Sequence, residues 1–339
     1  IYMDPWGCKI SISEVPKFDK LTDSAEYLAV LGELIIRLIM ASSSSNIDLT
    51  GPTFCIVTGA SQGIGKVIAI EFSKLFGPNS VLLLLARKTE ELAQTAKLCE
   101  SDNVKVIYKS IDLSVATEQE MYDIISQALS GHKVTDFTAN IIFHNVGSLG
   151  NMSIKTSCIE NVNEMRSYYD LNVFKVISLN TQFLKLFEEV EDRIIIVNIT
   201  SLCAVKPISG MAFYCSGKAA REMYFRVLAE EKKDMIVLNY SPGPVETTMI
   251  DVVIDKTVNE NLRDVFTTFK KQGTLLKAET TLSMTAGRKS LFLFLMNLAW
   301  KCRFSMPLLL SGTMALLGQA WMFQIRIQTV QELNENEVS

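Results

Sequence analysis

At residues 54–65 the chain reads Phe54-Cys55-Ile56-Val57-Thr58-Gly59-Ala60-Ser61-Gln62-Gly63-Ile64-Gly65. An apolar run ends at a turn with three glycines, and the run Val67-Ile68-Ala69 then opens a helical segment. Glycines at such a turn let the backbone approach a pyrophosphate, whose charge is stabilised by free N–H groups at the start of the helix. Glycines also serve ordinary turns, and this spacing is not the commoner Gly-x-Gly-x-x-Gly. Their place between a strand and a helix predicts a dinucleotide cradle at residues 59–65.

Short apolar runs alternate with helical segments on both sides of this turn. The predicted strands are 54–58, 81–86, 104–110, 139–144, 193–199 and 235–240, and the predicted helices are 63–76, 88–100, 116–130, 161–189 and 210–231. Such alternation is typical of β/α units, and buried parallel strands are apolar on both faces. The pattern predicts an α/β protein with a Rossmann-type, doubly wound parallel sheet in a single domain.

Both ends of the chain depart from this pattern. We expect an N-terminal extension of uncertain order at residues 1–50, a dinucleotide-binding domain at 51–281 and an atypical apolar tail at 282–339. Residues 306–325 are long enough to span a membrane, but Pro307, Gly312 and Gln319 interrupt the apolar run. Because polar groups are costly in hydrocarbon, the tail is a weak membrane candidate.

The composition excludes several classes of protein. Of 339 residues, 48% are hydrophobic and 21% charged, which is typical of a globular chain and not of a disordered one. The net charge is −4 and no basic stripe is present, so nucleic-acid binding is not expected. Seven scattered cysteines and two histidines give neither metal-ligand spacing nor a disulfide framework, so we expect no metal and reduced thiols in a cytoplasmic protein.

The end of the second predicted strand, Leu85-Ala86-Arg87-Lys88, bears on the choice of cofactor. An NAD site uses a carboxylate for the ribose 2′-hydroxyl, whereas an NADP site uses a cation for the 2′-phosphate. The guanidinium of Arg87 can bind a phosphate through two hydrogen bonds. The sequence therefore predicts a preference for NADPH, with a solvated pair of surface charges as the alternative.

Two further strand ends supply candidate nucleotide contacts. Asp112 closes the third strand, where its carboxylate could accept from an adenine amino group. Helix capping by Asp112 or Ser114 is the competing explanation, and the two can coexist. The fourth strand ends His144-Asn145-Val146-Gly147, and the glycine allows this loop to pass close beneath a nucleotide while Asn145 bonds backbone. His144 follows an apolar strand, so we expect it to be packed and outside the chemistry.

A tyrosine and a lysine are the central catalytic candidates. Tyr214 and Lys218 are four residues apart in a predicted helix, so both side chains lie on one face. Carbonyl reduction needs an acid that protonates the oxygen, and a tyrosine can serve if a cation stabilises its phenolate. The Lys218 ammonium can do so and can also bond the nicotinamide ribose. Ser201, beyond the fifth strand, would orient the carbonyl, and Asn172 would hold a water that passes protons to Lys218.

Together these residues resemble the short-chain dehydrogenase/reductase superfamily over residues 53 to about 280. Four longer runs resemble its pterin-reducing branch, at residues 145–150, 200–207, 214–223 and 237–249. The resemblance implies a cytoplasmic homodimer that uses NADPH to reduce side-chain carbonyls of pterins of the sepiapterin and 6-pyruvoyl-tetrahydropterin type, in tetrahydrobiopterin biosynthesis.

The resemblance also assigns roles to individual positions. It implies catalytic roles for Ser201, Tyr214 and Lys218, and a pterin pocket lined by Ser201, Leu202, Tyr214 and Gly243. The implied cofactor contacts are Gly59, Ala60, Ser61, Gln62, Gly63, Ile64, Gly65, Arg87, Lys88, Asp112, Leu113, Val245, Glu246, Thr247, Thr248, Met249 and Ile250.

The sequence departs from that branch at three places. Gln62 replaces a usual arginine, so the NADPH preference depends more on Arg87. His144 and Val146 alter the usual Asn-Asn-Ala-Gly loop. After Thr281 we find no counterpart of the aspartate that anchors the pterin ring. Two alternatives therefore stay open: a reductase of other small carbonyls or dicarbonyls, and a cofactor-binding variant with impaired pterin binding because of the altered tail.

Overall fold

The computed structural model describes residues 49–275, together with the backbone of three short strands, Tyr2–Met3, Lys9–Ile10 and Gln324–Ile327. The first two pair with each other in antiparallel fashion. Most of the predicted extension and tail, including the membrane candidate at 306–325 up to the short strand, lies outside the described residues. In the described part, no helix combines the length and apolarity needed to cross a membrane.

The predicted apolar runs form one sheet. Its strands are β1 (Thr53–Thr58), β2 (Ser80–Ala86), β3 (Val104–Ser110), β4 (Ala139–His144), β5 (Ile194–Ile199) and β6 (Ile236–Ser241). These six pair in parallel in the order β3-β2-β1-β4-β5-β6, and Gln324–Ile327 adds an antiparallel strand beside β6. This is the Rossmann strand order, whose direction reverses between β1 and β4. The predicted fold class is confirmed, and each predicted strand ends within one residue of the observed one.

Helices cover both faces of the sheet, as parallel strands require. They are α1 (Gly63–Ser73), α2 (Thr89–Cys99), α3 (Glu118–Ala128), α4 (Val162–Tyr169), α5 (Lys175–Phe187), α6 (Ala212–Glu231), α7 (Thr248–Lys256) and α8 (Glu260–Gln272). One apolar cluster joins α1 and α2 to one face, and a second joins α3, α5 and α6 to the other. Alternate residues of the strands supply the two clusters.

The single helix predicted at 161–189 is wrong in its middle. A π-helical turn, Asp170–Phe174, separates α4 from α5, and the Lys175 N–H donates to the Asp170 carbonyl five residues back. The prediction also omitted α7 and α8, which pack with the loop after β4 in a third, smaller apolar cluster. These elements surround the carboxyl edge of the sheet, where open α/β folds bind ligands.

Candidate active site

The glycine turn after β1 has the geometry of a phosphate cradle. Gly59 and Gly63 have positive φ angles of 67° and 54°, which other residues rarely adopt. A Cβ atom on Gly65 would lie 2.3 Å from the Gly59 carbonyl oxygen, so the turn closes only around glycine. The cap residue Gln62 gives no side-chain hydrogen bond to the start of α1. The helix N-terminus is thus left to an outside anion, and these residues fit a pyrophosphate.

The start of α7 lies against this cradle. Gln62 Nε2 is 3.4 Å from Thr248 Oγ1, and a Cβ on Gly63 would lie 3.3 Å from Thr247 Cγ2. The rest of the predicted segment comprises the buried Val245 and Ile250, the exposed Glu246 and the half-buried Met249. The chain distance between the turn and this segment is large, so the fold brings two predicted cofactor regions together. Their contact with a cofactor stays a prediction.

The predicted adenosine-side residues lie at the ends of β2 and β3. The Arg87 side chain is 70% exposed, and its Nη1 is 4.0 Å from Asp112 Oδ2. Asp112 Oδ1 accepts from the hydroxyl and N–H of Ser114, and these bonds lower the pKa of the carboxyl. Lys88 pairs with Glu91 at 3.2 Å, and Leu113 is buried. Asp112 therefore forms a local turn, which can coexist with an adenine contact, and that contact stays a prediction. Arg87 remains accessible.

The loop after β4 passes under the glycine turn. Asn145 Nδ2 donates to the carbonyls of Thr58 and Gly59 at 3.0 and 3.3 Å, and its backbone N–H donates to Thr58 Oγ1 at 3.0 Å. The expectation that Asn145 bonds backbone is confirmed. These bonds join β4 to β1 at the point where the strand order reverses, which is where a nucleotide would lie.

His144 is packed, as expected. It is fully buried, its Nε2 lies 3.0 Å from Asn180 Oδ1, and its ring centroid is 5.2 Å from that of Phe225. Burial lowers its pKa to about 3. The ring is therefore neutral at physiological pH and faces the α5–α6 layer.

Ser201, Tyr214 and Lys218 meet beyond the carboxyl end of β5. Lys218 Nζ donates to the Ile199 carbonyl at 2.6 Å and lies 5.6 Å from the centroid of the Tyr214 ring. Burial raises the pKa of Tyr214, and a hydrogen bond with Ser201 partly opposes that rise. Burial also lowers the pKa of Lys218. A phenol, a neighbouring amine and a hydroxyl thus share one crevice.

Asn172 lies in the π-helical turn and holds the loop after β4. Its Nδ2 donates to the Tyr168 carbonyl at 2.8 Å and to Ser148 Oγ at 3.0 Å, while its Oδ1 accepts from the Ser148 N–H at 2.7 Å. A Cβ on Gly147 would lie 3.3 Å from Asn172 Oδ1 and 3.9 Å from Lys218 Nζ. The amide is near the lysine but bonded to the loop, so its role in passing protons stays a prediction.

The predicted pocket lining occupies the same edge of the sheet. Leu202 is half-buried in the short helical turn that Ser201 caps through a hydrogen bond from Cys203 N–H to Ser201 Oγ, at 3.2 Å. Gly243 is exposed after β6 and has a φ angle of 78°, which favours glycine. Leu202 follows Ser201 directly and Gly243 follows the carboxyl end of β6, and their contact with a substrate remains a prediction.

Sequence reasoning gave no role to Arg221. It is the largest fully buried side chain among the described residues, on the same face of α6 as Gly217 and Lys218. A usable signal was present, because an arginine interrupts the helical stripe formed by Phe213, Gly217, Phe225 and Leu228. A charge within a buried stripe indicates polar partners in the core.

Comparison with known proteins agrees with this geometry. Residues 53–257 match the short chain dehydrogenase family. The chain belongs to this family, and it is an oxidoreductase.

Within the family it is similar to sepiapterin reductases. That of Xenopus laevis is 35% identical over 67% of this chain and 86% of its own length, and that of Bos taurus is 31% identical over 70% and 89%. A crystal structure described as a short chain dehydrogenase from Shigella flexneri 2a str. 301 complexed with NADP has a TM-score of 0.54 at 22% identity, over 68% of this chain and 88% of its own.

Proposed function

We propose that this oxidoreductase reduces the side-chain carbonyl of a pterin such as sepiapterin, with NADPH as its cofactor and Tyr214 as the general acid. The observation that carries the proposal is the convergence of Ser201, Tyr214 and Lys218 in one crevice, beside a glycine turn that fits a pyrophosphate. The similarity to two named sepiapterin reductases supports the choice of a pterin.

Each residue of the crevice has a separate task in this scheme. NADPH, when bound, supplies a hydride to the carbonyl carbon. The Tyr214 hydroxyl gives its proton to the carbonyl oxygen as negative charge develops there. Ser201 donates a hydrogen bond to the same oxygen and orients it. Lys218 Nζ lies 5.6 Å from the centroid of the Tyr214 ring, and its protonated form stabilises the Tyr214 phenolate that remains.

Preference for NADPH over NADH rests on Arg87. Its side chain is 70% exposed at the end of β2, the position from which a cation reaches a ribose 2′-phosphate. The partner carboxylate of Asp112 is 4.0 Å away and half-exposed, so solvent screens the pair and a phosphate can compete for the guanidinium. The NADP bound by the Shigella protein agrees with this preference.

We also infer that the chain forms a homodimer through the outer side of α5 and α6. Asn180 Nδ2 of α5 donates to the Tyr224 hydroxyl of α6 at 3.4 Å, and Tyr169 OH at the end of α4 donates to Ser216 Oγ of α6 at 2.7 Å. Phe174, in the π-helical turn before α5, is 56% exposed, and Met223 and Val227 of α6 are 53% and 46% exposed. Large apolar side chains grouped on a surface mark an interface. The cytoplasmic location stays a prediction from the resemblance.

The test is an assay of NADPH oxidation with sepiapterin, using the full-length chain, with NADH and a simple diketone run in parallel. We expect turnover with NADPH to exceed turnover with NADH, and kcat/KM for sepiapterin to exceed that for the diketone. Tyr214→Phe should lower kcat by about 10²- to 10⁴-fold, the usual contribution of a general acid.

Tyr224→Phe is the matched control. Tyr224 lies on the same helix, is half-buried, and interacts with Asn180 at 3.4 Å outside the crevice. Its loss should leave kcat within about twofold of the parent value. Equal activity of Tyr214→Phe and the parent protein would reject the assigned acid, and turnover of the diketone alone would reject the pterin.

A further inference from the structure

One arginine carries a positive charge in the core behind the active site. Arg221 is 1% exposed, and burial lowers its pKa to about 10, so the guanidinium stays charged at neutral pH. Among the ion pairs found in residues 49–275, none includes this guanidinium. Its hydrogen bonds run instead to neutral oxygen atoms. A buried charge held this way is costly unless the geometry of its acceptors is fixed.

Three acceptor atoms come from two separate parts of the chain. Nη2 donates to the His144 carbonyl at 2.7 Å, at the end of β4, and Nη1 donates to the Val146 carbonyl at 2.8 Å, in the following loop. Nε and Nη2 donate to Asn198 Oδ1 of β5 at 3.1 and 2.7 Å. Asn198 Nδ2 in turn donates to Asn239 Oδ1 of β6 at 2.8 Å. The rigid guanidinium plane thus links α6 directly to β4 and β5, and to β6 through Asn198.

These bonds lie near the carboxyl ends of the strands, just before the loops that form the site. His144, Asn198 and Asn239 are register partners, so they form a polar row across β4, β5 and β6. The cofactor-side loop leaves the sheet directly after this row, and Ser201 lies shortly beyond the end of β5. A Cβ on Gly147 would lie 3.7 Å from Arg221 Nη1 and 3.9 Å from Lys218 Nζ. Arg221 and Lys218 therefore both lie close to the same loop.

We propose that Arg221 is a positioning residue of the reductase site: it sets the distance between the loop at residues 145–147 and β5, and so between the cofactor and Tyr214. The inference rests on the proposed function for its catalytic consequence. Arg221 touches neither cofactor nor substrate in this scheme. Its contribution passes through the loop carbonyls and through Asn198.

The experiment compares Arg221→Met and Arg221→Lys with the parent protein. We measure kcat and KM for sepiapterin, and the Kd of NADPH by fluorescence titration without substrate. We expect Arg221→Met to lower kcat and weaken NADPH binding by about tenfold or more, with KM for sepiapterin within about twofold. Lysine offers one nitrogen for three acceptor sites, so Arg221→Lys should recover only part of each loss.

Two control variants on α6 separate positioning from general damage. Leu228→Ala removes a buried apolar side chain from the same face, far along the helix from the crevice, and should lower the Tm while kcat and the NADPH Kd stay near parent values. Arg226→Met removes a half-buried cation from the same helix and should change none of these quantities. A loss of kcat in Leu228→Ala equal to that in Arg221→Met would overturn the proposal.

Two further variants test the role of Arg221 if Arg221→Met is unstable. If Arg221→Met does not fold, Arg221→Lys decides, and parent values of kcat and NADPH Kd in that variant would overturn the proposal. Asn198→Leu should reproduce part of the loss, and combined with Arg221→Lys it should add less than the sum of the two single effects. If the parent protein fails to reduce sepiapterin, the proposed function falls, while the NADPH titrations still decide whether Arg221 holds the loop.

Discussion

A histidine that ends a strand beside a cofactor site suggests proton transfer, but the His144 ring is fully buried between the sheet and the helices that cover it. Its ring lies with Asn180 and Phe225 in the α5–α6 layer. Alternation along β4 explains this, because His144 falls on the same face as the buried Ile142. The position of a side chain in the strand, not its residue type, decides its role here.

The buried imidazole predicts a pH-dependent stability. The pKa of His144 is about 3 in the folded chain and 6.5 for an exposed histidine. Between these values the unfolded chain binds a proton that the folded chain does not, so the stability present above pH 6.5 falls as the pH decreases. At a pH of about 5 the loss is about 2 kcal/mol.

Urea unfolding of the parent protein and His144→Gln, at a pH of about 7.5 and again at about 5, measures this effect. Glutamine keeps a donor for Asn180 but does not titrate. The parent should lose about 2 kcal/mol more than the variant over this interval. Identical pH dependence in both would contradict the prediction, and kcat should differ little because the ring is outside the crevice.

Among individual residues, the sequence revealed the catalytic candidates but not the arginine that binds the neighbouring loop. Tyr214 and Lys218 were predicted from helical spacing, since that spacing fixes which side chains share a face. Arg221 was not, because its acceptors are carbonyls and an amide from strands far away in the chain. Contacts between distant segments depend on packing, which no local pattern encodes.

Some elements of secondary structure were predicted from the sequence and others were not. Fully buried parallel strands gave continuous apolar runs, so their ends were predicted closely. The helix α8 was omitted although its signals were present, with Asn259 capping its start through Leu262 N–H and Gly273 ending it in the left-handed region. The π-helical turn had no comparable signal, because it depends on the bonds Asn172 makes to the neighbouring loop.

The close packing of the glycine turn predicts that an added methyl group weakens NADPH binding. Gly65→Ala places a Cβ 2.3 Å from the Gly59 carbonyl oxygen and 2.5 Å from Asn145 Nδ2, so the turn and the loop beneath it must separate. We expect the NADPH Kd to rise by about tenfold or more, because the backbone donors no longer converge on the pyrophosphate. Fluorescence titration with NADPH measures the change.

Gly131→Ala is the control for this variant. Gly131 has a φ angle of 90° and nothing within 4 Å of an added Cβ. Alanine there strains the backbone and costs about 1 kcal/mol of stability without touching the cradle. Its NADPH Kd should match that of the parent. An unchanged Kd in Gly65→Ala would show that the turn does not bind the pyrophosphate.

For the whole molecule, the strand order places the site. The reversal between β1 and β4 opens a crevice, and the loops after β1, β4, β5 and β6 converge there. This arrangement followed from the β/α alternation of the sequence. The antiparallel pairing of Gln324–Ile327 with β6 did not, because it joins segments separated by a long stretch of chain.

The proposed interface on the outer side of α5 and α6 predicts that added charges there dissociate the dimer. The double variant Phe174→Glu, Met223→Glu places two charges on the exposed apolar side chains of the proposed interface. Burying unpaired charges is unfavourable, so we expect the parent to sediment as a dimer and the variant as a monomer. Leu98→Glu charges an equally exposed residue on α2 and should stay dimeric. A monomeric parent, or dissociation of the control, would reject the interface.

The π-helical turn has a consequence for how this protein tolerates changes in length. A helix gains hydrogen bonds when an extra residue is removed from such a turn, so a one-residue deletion within Asp170–Phe174 would leave a more regular helix. It would also rotate everything on one side of the deletion by about 100° relative to the other, since each residue turns an α-helix by that angle. Asn172 would then leave Ser148 and the Tyr168 carbonyl. A shorter chain with a better-formed helix would have lost the contact that holds the loop against the site.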